Sequence, residues 1–149
     1  MKKNRLNVAP FDDIIIIGIV TSMVDYQLAW NLNKTLKIEL TKYNDITSNG
    51  KDFFSFYLYN AGENANVFNL VALSNKERKW VTFSPHTDYL FIIRNYINDE
   101  KLQQVFTKIK SIPRVQHAYM IDLDYNNKID SILADVEDHE TDIINRLKL

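Results

Sequence analysis

The segment Pro85-His86-Thr87-Asp88-Tyr89 brings an imidazole, a carboxylate and a phenol within four residues. An Asp that orients a His makes the pair a general base. The segment stands at the entrance to an apolar run, Tyr89 to Ile93, that reads as a strand. In an extended chain alternate residues point to opposite faces, so His86 and Asp88 share a side while Tyr89 faces away. His and Asp are also ordinary turn residues. His86, Asp88 and Tyr89 are the candidate catalytic residues, with turn formation as their simpler use.

Other clusters are weaker. His139 has Asp135 four residues before it and Asp142 three after, a helical spacing that could hold a cation. A solvated acidic helix surface accounts for it more simply. His117 sits in an apolar strand and reads as a half-buried filler. Gly18-Ile19-Val20-Thr21-Ser22 superficially resembles a phosphate loop but lacks the glycines and the lysine that surround phosphates. Asp25 reads as a cap on its own helix. Phe53 to Tyr59 could stack bases, but it lacks interleaved Arg and Lys, so core packing is the better reading. Neither a Gly-x-Ser-x-Gly elbow nor a His-Glu-x-x-His motif occurs. With no cysteine in the chain, Cys nucleophiles, Cys-ligated zinc, iron–sulfur clusters and disulfides are excluded. No cofactor and no metal site is expected.

The elements that must position these residues follow from periodicity. Ile14 to Val20 is β-branched and continuous, the pattern of a strand buried on both faces, with Gly18 marking a bulge or a close approach. Ser22 with Asp25 looks like a capping box, and Val24, Leu28, Leu32 and Leu36 form one apolar helical stripe. Tyr26 and Trp30 lie off that stripe and are read as widening the buried face. Leu36 to Tyr43 alternates like a half-exposed strand. Phe53–Tyr59 and Val67–Leu73 read as an antiparallel hairpin, followed by a short strand at Trp80–Phe83 and a central one at Tyr89–Ile93. Asn98 caps a second helix, which Pro113 stops; Val115–Ile121 is a strand; a C-terminal helix closes the chain, its apolar spacing interrupted at Glu140. Strand runs flanked by helices imply an α+β fold, a mostly antiparallel sheet of six to seven strands with two or three helices packed on it. The expected organisation is one domain, residues 1–149, with 1–12 a frayed N-terminus and 126–149 the C-terminal helix.

Composition sets outer bounds. The chain has 149 residues, 46% of them hydrophobic and 25% charged, as in one globular domain. Eighteen basic and nineteen acidic residues nearly balance, which argues against a dedicated nucleic-acid binder. A membrane span needs about 20 apolar residues, and no stretch approaches that. The basic start is followed by Asp12-Asp13 rather than an uninterrupted apolar run, unlike a secretory leader. A cytoplasmic protein is expected.

Taken in order, Gly18-Ile19, then Asp25-Tyr26-Gln27-Leu28-Ala29-Trp30-Asn31-Leu32-Asn33, then Asp88-Tyr89-Leu90-Phe91-Ile92-Ile93, a helix, Ser111-Ile112-Pro113 and a strand resemble the IPExxxVDY family. This is a family of uncharacterised bacterial proteins seen mainly in the Bacteroidetes, and the resemblance covers roughly residues 11 to 123. Of the naming motif, Asp88 and Tyr89 match, while Val81-Thr82-Phe83 stands where Ile-Pro-Glu would. The resemblance implies no activity; its motif residues would define the fold.

The leading expectation is a non-enzymatic module that binds a protein partner, or itself as a homodimer through an apolar stripe on the C-terminal helix. The alternative is a small enzyme or ligand-binding domain with its site near His86, Asp88 and Tyr89. The two differ in whether those three side chains converge on one concavity.

Overall fold

A computed structural model describes residues 13–47, 49–62, 65–75, 79, 86–122 and 127–147. Among them the chain runs β1 (Ile14–Thr21), α1 (Asp25–Leu36), β2 (Thr41–Lys42), β3 (Phe56–Asn60), β4 (Val67–Ala72), β5 (Tyr89–Arg94), α2 (Asp99–Ser111), β6 (Val115–Met120) and α3 (Asn127–Leu147). The six strands form one antiparallel sheet in the order β2-β3-β4-β5-β1-β6. The fold is α+β, with three helices packed on the sheet. The strand expected at Trp80–Phe83 lies outside the described residues.

The period of two in each strand sorts its side chains into two cores. Ile17, Ile19, Leu70, Phe91 and Ile93 face the layer that holds α1 and α2, together with Leu28, Leu32, Leu102 and Ile109. Ile14, Ile16, Val71, Leu90 and Ile92 face the other way, against Ile129, Ile132, Leu133, Val136 and Ile143 of α3. The molecule is therefore three layers with the sheet in the middle. Complete burial of a side chain such as Leu28 or Ile92 contributes about 1.5–3 kcal/mol.

β1 and β5 lie inside the sheet and pair from Ile14↔Arg94 to Ile19↔Tyr89, which explains why both read as continuous apolar runs. Gly18 is the close approach: an added Cβ would sit 2.7 Å from the Tyr119 ring, its cross-strand neighbour on β6. The bulge falls later in β1, between Val20 and Thr21. Asn98 caps α2 by accepting from the Lys101 N–H at 2.8 Å.

Several local expectations are corrected. α1 starts at Asp25 behind Val24, and the Gln27 side chain accepts from the Val24 N–H at 3.2 Å; Ser22 does not cap it. Leu36 ends α1 instead of opening a strand. Lys37 adopts a left-handed φ of 58°, and the Asn33 side chain then holds both the N–H and the carbonyl of Leu40, at 2.7 and 3.2 Å. That pinned loop leaves only Thr41–Lys42 as β2. Tyr26 and Trp30 do not widen the buried face: they are 67% and 60% exposed.

Candidate functional site

At the end of the sheet where β5 begins, Asp88 uses both carboxylate oxygens. Oδ2 accepts from the Thr21 N–H at 3.0 Å and Oδ1 meets His86 Nε2 at 2.8 Å. The His86 side chain is half exposed. Thr87, buried between them in sequence, meets the Tyr119 hydroxyl at 2.5 Å. Tyr89 leaves this group. It lies in the core beneath α1, where its hydroxyl donates to the Met23 carbonyl at 2.9 Å. Burial first, then the charges of Asp25 and Asp88, push the phenol up to about 12. The structure thus joins His86 to Asp88 and separates Tyr89 from both. Chemically, the joined pair orients an imidazole at the surface, while Asp88 also fastens β1 to the start of β5.

Asp25 does not cap its own helix by its side chain. It reaches back to the sheet, accepting from Tyr57 Oη at 3.1 Å and pairing with Lys42 Nζ at 3.1 Å. Burial pushes its carboxyl up, but hydrogen bonds from Ser55 and Lys42, the Lys42 charge and the Tyr26 backbone together hold it below the ordinary value of 3.8. Burial and the facing Asp25 carboxylate push the Tyr57 phenol well up. This cluster ties the start of α1 to β2 and β3.

The opposite layer holds a second polar group. Glu140 of α3, 7% exposed, pairs with Arg94 at the end of β5 and accepts from Asn69 Nδ2 of β4 at 2.5 Å. The interruption in the α3 stripe is thereby explained: where the helix meets Arg94 and Asn69, an acid belongs on its inner face. The apolar stripe of α3 is used against the chain's own sheet, leaving Ile144, 44% exposed, at its margin.

The remaining histidines are occupied elsewhere. His139 donates from Nε2 to the Asn44 carbonyl at 2.7 Å and sets its ring edge-on to Phe56, 4.7 Å between centroids. His117 is exposed, not half-buried, because β6 is the last strand of the sheet; its ring stacks on Tyr119. Among the described residues no group of three or more His, Asp or Glu side chains is placed to hold a metal ion. No helix among them is long and apolar enough to cross a membrane. In the hairpin, Phe54, Phe56 and Tyr57 are buried and serve packing.

What sequence reasoning missed lies on the outer face of α1. Tyr26 and Trp30, four residues apart, stand side by side above the helix. With Gln27, Asn31 and Arg114 they line a shallow depression of about 480 Å³. Lys34, one turn further on, places Nζ 4.9 Å from the Trp30 ring centroid. Val24, at the head of the same helix, is 46% exposed. The signal was available: two large aromatics at i and i+4, off the apolar stripe of an amphipathic helix.

No family model, curated protein or solved structure matches the chain. The fold and the candidate surfaces therefore stand on the geometry above.

Proposed function

We propose that this domain is a non-enzymatic protein-interaction module that engages its partner through the outer face of α1. One observation carries the reading: Tyr26 and Trp30 are 67% and 60% exposed beside each other on an ordered helix. Single exposed apolar residues are unremarkable, but paired Trp and Tyr flanked by Arg are the residue types that dominate binding energy at interfaces. Among the described residues the buried side of α1 is already supplied by Leu28, Ala29 and Leu32. The apolar stripe of α3 is engaged with the sheet, so the α1 face is the better place for a partner. In this reading Asp88 and Tyr89 hold the fold, and the Tyr26–Trp30 segment binds.

Affinity capture from the host cell tests this. The full chain is compared with a Tyr26→Ala/Trp30→Ala chain of the same circular dichroism. A protein retained by the first and lost with the second is the expected result. An unchanged set of retained proteins would remove the α1 face from the account.

A second reading has one observation in its favour, the half-exposed His86 held by Asp88 at 2.8 Å. In this reading His86 serves as a general base at the sheet end. A screen of ester and phosphate-ester hydrolysis with His86→Ala as control decides it: turnover lost in the variant supports the reading, and equal rates dismiss it.

A further inference from the structure

We propose that the α1 face grips an acidic peptide segment, with an apolar side chain of the peptide seated at Tyr26 and Trp30 and a neighbouring carboxylate on Arg114. This rests on the reading of α1 as the docking face and adds the chemistry of what docks there.

Charge complementarity carries the inference. Arg114 is the one charged residue lining the depression, and the second cation, Lys34, stands over Trp30 at its margin. Among the described residues no carboxylate lines it. Asp25, the acid adjacent to Tyr26, is turned to Lys42 and Tyr57. The depression therefore combines two aromatic walls with positive charge that no carboxylate among the described residues compensates. A guanidinium offers a planar fork that matches a carboxylate, and desolvation by the flanking rings strengthens that bond.

The root of Arg114 is also fixed. Its φ of 75° lies in the left-handed region, which disfavours side chains other than Gly, Asn and Asp. Thr21, itself 4% exposed, donates from Oγ1 to the Arg114 carbonyl at 2.7 Å and holds that conformation. The turn after Pro113 thereby keeps an arginine where the backbone alone would favour glycine, and it lies next to α1. A peptide suits this arrangement better than a nucleic acid. A polyanion is tracked by a row of cations along a groove, whereas here two cations bracket one depression in a chain of net charge -1.

Selection of random displayed heptapeptides against the immobilised full chain tests the proposal. The expected outcome is enrichment of Asp or Glu beside Leu, Phe or Trp. A synthetic peptide of that consensus is expected to bind more weakly as salt rises, and about thirtyfold more weakly to Trp30→Ala. Arg114→Asn keeps a residue suited to the left-handed backbone, so the fold is retained; it is expected to lose about tenfold and most of the salt dependence. Enrichment of sequences without acids, abolished by Trp30→Ala, would overturn the acidic partner and leave the docking face standing. No enrichment beyond that of a Tyr26→Ala/Trp30→Ala chain would overturn both. Binding of oligothymidylate lost in Trp30→Ala, or a dimer in sedimentation that the same variant dissolves, would assign the face to another occupant and overturn the peptide.

Discussion

α1 and α3 each break their amphipathic pattern once, and the two breaks are answered differently. In α3 an acid, Glu140, interrupts the inner apolar stripe, and the sheet answers it from within the chain through Arg94 and Asn69. In α1 two aromatics, Tyr26 and Trp30, interrupt the outer polar face, and the described residues around them are polar or charged: Gln27, Asn31, Arg114 and the Lys34 ammonium over Trp30. A pattern break that the fold satisfies is structural. A pattern break left at the surface is where we propose that a partner docks. α2 provides the reference: its outer residues Glu100, Gln103, Gln104, Thr107 and Lys108 are those of an ordinary solvated helix.

The largest expected effect is at Glu140. Glu140→Ala leaves the part-buried Arg94 without its counter-charge, and urea denaturation should show a loss of about 2–4 kcal/mol. The double replacement Arg94→Leu/Glu140→Leu should recover most of that loss. Burying two ions is costly, and here Arg94 Nε and Asn69 Oδ1 are buried without a partner among the described residues. A double variant as unstable as the single one would show that the ion pair itself, and not its repair, stabilises α3.

A smaller effect separates the two layers by pH. Asp25 titrates below its ordinary 3.8 in the folded chain, so its contribution is complete above that value and is lost as pH falls through the lower folded value. Asp25→Asn should cost about 1–2 kcal/mol near neutrality, a difference that closes in strong acid. On the α3 side the sign reverses. Burial and the neighbouring Asp138 push Asp135 up, and burial outweighs Arg94 to push Glu137 up. These two carboxyls hold their protons more tightly folded than unfolded, so lowering pH through their raised values stabilises the chain. Denaturation midpoints measured across mild acid for Asp135→Asn should lack part of that gain; an identical profile would detach the gain from Asp135.

The smallest effect on stability belongs to the proposed docking surface. Trp30→Ala removes an exposed ring and its contact with Lys34, and should change unfolding free energy by no more than about 0.5 kcal/mol. A loss several times larger would make Trp30 a packing residue and erase the contrast with α3.

The sequence made much of the fold legible because the strongest signals were local and redundant. The β-branched run of β1, the hairpin of β3 and β4, and the Asn98 cap with Pro113 behind α2 each had more than one cue pointing the same way. Leu36 did not, since it continues the four-residue stripe of α1 and also begins an alternation through Ile38 and Leu40. The left-handed Lys37 and the Asn33 side chain decided between them, and neither is visible as a pattern. Glu140 read as a flaw because its partners are 46 and 71 residues away in sequence. At the candidate site, alternation correctly put His86 and Asp88 together and Tyr89 elsewhere. Tyr26 and Trp30 were misread because hydrophobicity was taken to mean burial, an inference that runs in one direction only.

Photocrosslinking in the host cell reads the proposed docking through α1 directly. A benzoyl-phenylalanine placed at Tyr26 of α1, where the native residue is itself aromatic, is compared with the same group at Gln104 on the polar outer face of α2. A discrete adduct is expected from position 26 and none from position 104. Adducts of equal yield from both positions, or from 104 alone, would contradict that docking.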